Sequence, residues 1–109
     1  MYDEKLAEMI RKSLTGKHGI TEKRMFGGLC FLHNGNMLCG VDNKCQLMVR
    51  VGAHNYANAL KSKHAREMDF TGKSLKGMIY VDTKGTRTQT SVAKWIKMGL
   101  DFTATLAKK

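Results

Sequence analysis

The chain has 109 residues, of which 42% are hydrophobic and 26% are charged. This length and composition are typical of one globular domain and exclude a largely disordered chain. Its three cysteines follow no repeating spacing, which excludes a disulfide framework and favours a reducing, cytoplasmic location. The formal net charge is +10, so the chain is attracted to polyanions. The charged N-terminus has no apolar signal region, and residues 25–41, the longest stretch without charge, contain too many Gly and Asn residues for a membrane span.

The first half of the chain predicts a helix followed by a β-meander. A helix is predicted over residues 3–14, where Asp3 can accept hydrogen bonds from the free backbone amides. Its apolar residues recur at helical spacing: Leu6, Ile10 and Leu14. The dipeptide Asn34-Gly35 is a strong hairpin signal, because both turn residues need a positive φ. Residues 23–51 are therefore predicted to form three or four antiparallel strands.

The second half predicts a short helix, a hairpin and a long helix. His54 or Asn55 is expected to cap a helix ending near Lys61, and residues 67–70 and 78–82 are expected to pair as strands. Thr88 or Thr90 is expected to cap a last helix that carries an apolar stripe over Val92, Trp95, Gly99, Phe102 and Leu106. We expect this helix to bury Trp95 and Phe102 on the sheet, with Gly99 at a close approach. The predicted fold class is α+β, one domain over residues 1–109, built as a two-layer sandwich with about five antiparallel strands.

Two cysteines lie at matching positions on either side of the predicted turn. With a two-residue turn at Asn34-Gly35, regular pairing places Cys30 opposite Cys39. The pair is interpreted either as two buried thiols or as a redox switch, and the first interpretation is favoured. We expect free thiols.

The pattern of reactive residues does not favour an enzyme. The four histidines and three cysteines lack metal-site spacing, no nucleophile has a recognisable base, and the acids are dispersed. We therefore predict no catalytic residues, no metal site and no cofactor.

Basic residues form two candidate patches. The half of the chain from residue 55 onward holds eleven basic and four acidic side chains. One predicted patch comprises Lys61, Lys63, Arg66, Lys73 and Lys76, and the other comprises Lys84, Arg87, Lys94 and Lys97. Each is interpreted either as a solvated face or as a phosphate-binding surface. Neither patch is interleaved with aromatic residues, so a stacking platform for single-stranded nucleic acid is not indicated.

Five collinear motifs resemble the N-terminal domain of the TfoX/Sxy family. The motifs are Lys23-Arg24-Met25-Phe26-Gly27-Gly28-Leu29, Asn34-Gly35-Asn36-Met37, Leu47-Met48-Val49-Arg50-Val51-Gly52, Met68-Asp69-Phe70-Thr71-Gly72-Lys73, and Lys76-Gly77 with Tyr80-Val81-Asp82. The resemblance implies an α+β fold with an antiparallel sheet, no known catalysis, and a role linked to natural-competence genes in bacteria. It also implies a stand-alone N-terminal domain, because full-length regulators of this type, which act alongside the cyclic-AMP receptor protein, carry a second, helical domain.

Within the matching motifs, basic residues are the candidate contacts for an anion or a partner. Arg24 and Arg50 lie in apolar strand contexts, so each is interpreted either as such a contact or as a structural residue paired with an acid. Lys23 is a candidate beside them. Relatives often carry an aromatic residue after Lys-Gly, where this sequence has Met78, so the late hairpin is expected to present a surface of its own.

These observations predict a non-catalytic regulatory domain that binds a protein partner. The alternative is a domain that binds nucleic acid weakly and without sequence preference. We expect contact with a protein, for example the transcription machinery, no membrane contact, and only weak contact with DNA. The sequence leaves the oligomeric state open, a homodimer included.

Overall fold

A computed structural model describes residues 3–25, 27–44, 46–70 and 73–108, with the backbone alone for residues 68–70 and 73–76. The elements follow the predicted order of a helix, a meander, a helix, a hairpin and a helix. The helices are α1 (Glu4–Ser13), α2 (Ala53–Ala59), a short 3₁₀ helix (Thr83–Thr86) and α3 (Gln89–Thr103). The strands are β1 (Ile20–Met25), β2 (Gly28–His33), β3 (Asn36–Val41), β4 (Leu47–Arg50), β5 (Ala65–Phe70) and β6 (Lys73–Val81).

The six strands form one antiparallel sheet in the order β1-β2-β3-β4-β6-β5. The sequence predicted about five strands, because residues 23–33 read as one extended run. This run divides into β1 and β2, which pair from Ile20 opposite His33 to Met25 opposite Gly28. The predicted α+β class and the two layers are confirmed.

Local capping explains where two helices begin. The carboxylate of Asp3 accepts hydrogen bonds from the amides of Lys5 and Leu6, and the Thr88 hydroxyl accepts one from the amide of Ser91. Both caps were predicted. The predicted side-chain cap of α2 is wrong, because Gly52 occupies the N-cap position with φ at 84° and no side-chain hydrogen bond.

The Asn34-Gly35 turn is confirmed, but the predicted pairing of Cys30 with Cys39 is wrong. Both turn residues have positive φ, 53° and 83°, as a hairpin turn of this length requires. Beyond the turn a β-bulge shifts the register, so that Phe31 lies opposite Cys39 and Cys30 lies opposite Gly40.

Burial gives the physical reason for the bulge. Leu38 and Cys39 are adjacent in β3, and both are fully buried in the main core. Strict alternation would place one of them on the opposite face of the sheet. An extra residue in the strand allows both side chains to face the helices.

The main core lies between the sheet and the three helices. Helix α3 crosses β3 and β4, where Trp95 is buried as predicted. A Cβ on Gly99 would lie 2.8 Å from Leu38 Cδ1, which confirms the predicted close approach of α3 to the sheet. Phe102, which was expected to be buried, is only half-buried.

Candidate interaction surface on the open face of the sheet

The two faces of the sheet are covered differently. The main core contains side chains from α1, α2 and α3 as well as from the strands. A second, smaller cluster contains strand residues only, with Cys30 and Met48 at its centre and Met25, Met37, Met78 and Tyr80 around them. In the described part of the chain, no helix contributes to this second cluster. We call the face of the sheet that carries it the open face.

The strand register defines the charged ends of the open face. Residues directly opposite each other in antiparallel strands share a face. One continuous row of such partners crosses all six strands, from β1 to β5: Lys23, Cys30, Gly40, Met48, Tyr80 and Arg66. The row therefore has a basic residue at each end and sulfur, glycine or aromatic residues between them.

The centre of the open face is well packed although no described helix covers it. Cys30 is 4% exposed and Met48 is 8% exposed, whereas the four residues around them are half-buried. Flexible methionine side chains fill irregular space and adapt to different neighbours. The accessible apolar surface of this face therefore comes from those four side chains, three of which are methionines whose outline can adjust to a partner.

The strand acids whose side chains the structure describes lie on the helix side. Glu22 is opposite Phe31, and Glu67 is opposite Ile79, both of which are core residues. Asp42 follows β3 and accepts hydrogen bonds from the amides of Lys44 and Gln46. Among the strand residues whose side chains are described, Lys23 and Arg66 carry charge on the open face, whereas Arg50 leaves β4 on that side and turns its guanidinium toward Phe102 of α3.

Three of the predicted contact residues lie on β1 and β4. Lys23 and Arg24 are both exposed, but they lie on opposite faces of β1, with Lys23 on the open face. Arg50 shares the face of Met48 by alternation, and its guanidinium carbon lies 5.3 Å from the ring centre of Phe102 in α3. This cation–π contact gives Arg50 a described partner that is aromatic, where the sequence had suggested an acid.

The first predicted patch reaches the open face through Arg66. The Arg66 guanidinium donates a hydrogen bond of 2.9 Å to Gln46 Oε1. Lys61 and Lys63 are exposed in the connection between α2 and β5. The side chains of Lys73 and Lys76 lie outside the described part of the structure.

The second predicted patch lies away from the open face. Lys84 is in the 3₁₀ helix, Arg87 precedes α3, and Lys94 is an exposed residue of α3, which packs on the other side of the sheet. Lys97 Nζ lies 3.2 Å from Asp101 Oδ2 one turn further along. The structure therefore separates two basic surfaces that the sequence could not assign to faces.

The two cysteines that the structure describes offer little reactivity. Cys30 and Cys39 are free, buried, and on opposite sides of the sheet. Burial raises the pKa of both thiols, and most strongly that of Cys39. Because the thiolate is the reactive form, both are weak nucleophiles at neutral pH. Among the described residues, no group of three His, Cys, Asp or Glu side chains could hold a metal ion.

Sequence reasoning missed the methionine surface. Met48 lies on the face opposite Leu47 and Val49, and the sequence did not connect it with the methionines of other strands. The available signal was methionine alternating with buried aliphatic residues, as in Met48 and again in Met78 beside Ile79. No single strand reveals that these methionines meet.

The matched sequence range encloses this whole architecture. The family model described as the TfoX N-terminal domain matches residues 4–103, from the first residue of α1 to the last residue of α3. The chain belongs to the TfoX N-terminal domain family. The open face of this TfoX N-terminal domain and both basic patches lie within the matched range. Searches of the curated proteins and of the solved structures found no significant match.

Membership supports a regulatory domain of the TfoX type in general. No helix in the described parts of this TfoX N-terminal domain has both the length and the apolar character needed to cross a bilayer.

Proposed function

We propose that this TfoX N-terminal domain is a non-catalytic regulatory module in the bacterial cytoplasm that acts by binding another protein through the open face. The observation that carries the proposal is the methionine cluster on a sheet face that no described helix covers. Contiguous apolar surface that remains accessible marks interaction sites in soluble proteins. The resemblance to competence regulators supports genes for DNA uptake as the regulated output.

The burial of the two described cysteines supports a role without catalysis. Cys30 and Cys39 are the described thiols, and burial raises the pKa of each. An activated nucleophile needs the opposite shift, together with a base within hydrogen-bond reach. Neither described thiol therefore supplies an activated nucleophile.

A reporter for the DNA-uptake genes in the source bacterium tests the regulatory proposal. We expect a chromosomal Met37→Gln/Met78→Gln variant to change reporter expression in the same direction as deletion of the gene. Met98→Gln is the matched control, because Met98 is half-buried in α3 against the main core. If deletion changes expression and the open-face variant does not, the open face is not the regulatory surface.

Weak nucleic-acid binding is the second candidate, and the net charge of +10 favours it. Affinity that comes from phosphate contacts falls with salt, with a slope of about −0.9 per neutralised phosphate. We expect duplexes of several sequences to bind equally at low salt and to dissociate by about 200 mM salt. Sub-micromolar binding of one preferred sequence at that salt concentration would support DNA recognition instead of protein binding.

The basic residues near α3 allow the two candidates to be separated. Lys94→Glu should weaken duplex binding at low salt if DNA contacts the second basic patch. The same substitution should leave the reporter unchanged if regulation depends on the open face, because α3 packs on the other side of the sheet.

A further inference from the structure

The open face has the length of a short helix. The cross-strand row from Lys23 to Arg66 makes five steps between neighbouring strands, each about 4.8 Å, and therefore spans about 24 Å. The apolar cluster, from Met25 on β1 to Met78 on β6, occupies five adjacent strands and spans about 19 Å. A helix rises about 1.5 Å per residue, so a segment of about 16 residues covers the row from end to end.

The composition of the surface suits an apolar helix stripe. Methionine-rich surfaces repack around apolar anchors of different shape. The described aromatic residue on this face is Tyr80, which is too little for a stacking platform that binds successive bases. An amphipathic helix laid on an apolar surface is also a recurring mode of protein recognition.

Charge determines which helix fits. Lys23 lies at one end of the row and Arg66 at the other, and the described strand acids Glu22 and Glu67 lie on the opposite face. Acidic residues near both ends of a bound helix would complement these cations. A second copy of the chain would place basic residues against basic residues, so like-charge repulsion opposes self-association through this face.

We propose that the open face binds an acidic amphipathic helix of a partner protein, with its apolar stripe on the methionines and its acidic residues near Lys23 and Arg66. This inference rests on the proposed function and specifies the chemistry of the partner. It makes the binding surface a short platform across the strands, with one basic residue at each end.

Synthetic peptides of about 18 residues test the proposal by isothermal titration calorimetry against the whole chain. The acidic peptide carries leucine at positions i, i+3, i+4 and i+7 onward, glutamate near both ends and neutral polar residues elsewhere. One control peptide has the same composition in scrambled order, and another replaces glutamate with lysine. We expect saturable binding of the acidic peptide, and at least tenfold weaker binding of both controls.

Adjacent residues on β1 provide a matched pair of protein variants. Lys23→Glu should weaken binding of the acidic peptide about fivefold, whereas Arg24→Glu should change it by less than about twofold, because Arg24 lies on the other face. Both side chains are exposed, so neither substitution threatens folding. Met78→Gln should weaken binding about fivefold, and Met98→Gln on α3 should not.

Several outcomes would overturn the proposal. They are no binding of the acidic peptide at about 1 mM, equal binding of the lysine peptide, or equal effects of Lys23→Glu and Arg24→Glu. If the chain forms a dimer and Met78→Gln dissociates it, the open face binds a second copy instead. If single-stranded oligonucleotides displace the peptide and Lys23→Glu abolishes that competition, the open face binds nucleic acid. If the peptide fails while the open-face variant still alters the reporter, this inference is wrong and the proposed function stands.

Discussion

Met48 and Gly40 face each other across β4 and β3, and the end of the Met48 side chain lies where a side chain at residue 40 would need room. A Cβ on Gly40 would lie 3.0 Å from Met48 Cε and 2.7 Å from the backbone oxygen of Leu29. The absence of a side chain at residue 40 therefore lets Met48 extend toward Cys30, and this contact holds the centre of the open face together.

Gly40→Ala should destabilise the fold by about 1–2 kcal/mol, even though alanine lowers the entropy of the unfolded chain. The methionine end could move, but the Leu29 carbonyl belongs to the paired strand β2 and cannot move without disturbing the register. Urea unfolding followed by circular dichroism measures the change. Thr21→Ala, an exposed position of β1, is the control and should stay within about 0.5 kcal/mol. An unchanged midpoint for Gly40→Ala would mean that the strands separate easily at this point.

Arg11 links α1 to the edge strand β1. Its guanidinium donates hydrogen bonds to the carboxylates of Glu4 and Glu8 in the helix and to both oxygens of Glu22 in the strand, at 2.7–2.9 Å. Arg11→Gln should lower the free energy of unfolding by about 1 kcal/mol at low salt, and by less at high salt, because these groups are partly exposed. Lys12→Gln is the control, since Lys12 is an exposed neighbour in the same helix.

The effect of Arg11 should depend on pH. The hydrogen bonds from Arg11 lower the pKa of Glu22 below its ordinary value of 4.5. The folded state therefore gains stability from this pair above pH 4.5, and the gain is lost as the pH falls through the lowered pKa. The difference in unfolding free energy between the wild-type chain and Arg11→Gln should therefore be smaller at pH 3 than at pH 5. An equal difference at both pH values would contradict the pairing.

The two described cysteines should react slowly and unequally. Burial raises the pKa of each thiol, and Cys39 is fully buried while Cys30 lies on the open face. In a Cys45→Ser background, iodoacetamide at neutral pH should label Cys30 first and Cys39 only on unfolding. Mass spectrometry of the labelled peptides measures both rates. A mild thiol oxidant should not join these two residues, since they face opposite sides of the sheet, and efficient formation of that disulfide would contradict the bulge.

The contact between Arg50 and Phe102 should contribute measurable stability. A double-mutant cycle with Arg50→Met and Phe102→Leu should give a coupling free energy of about 0.5–1 kcal/mol, because the guanidinium lies over the aromatic ring. Arg50→Met keeps most of the aliphatic stem, so the cycle isolates the charged group. A coupling near zero would leave Arg50 available as a partner contact and not as a structural link between β4 and α3.

Local features could be predicted from the sequence because they depend on neighbours along the chain. Asp3 caps α1 through amides two and three residues away, and Thr88 caps α3 in the same way. Asn34 and Gly35 form their turn by their own backbone preferences. The amphipathic stripe of α3 predicted burial of Trp95 for the same local reason.

The bulge in β3 could not be predicted, because it results from packing against α3, which is distant in the sequence. Helix α3 approaches the sheet at Gly99 and requires Leu38 on its side, while Cys39 fills the core beside Val49. Either residue alone fits regular alternation. Only packing against α3 determines that both are buried and that the register shifts.

By itself, the sequence determined the α+β class, the order of elements, the turn and the caps of α1 and α3, since each arises from residues close together in the chain. Tertiary structure alone decided the faces of the sheet. Pairing of β4 with β6 places Met48 directly opposite Tyr80 and Arg50 opposite Met78, across some thirty residues of sequence. That pairing brings Met48 and Met78 together, because each side chain in a strand takes its surroundings from the neighbouring strands and not from the residue beside it. Alternation along β1 separates Lys23 from Arg24, and the pairing of Lys23 with Cys30 decides that Lys23 is the one on the open face.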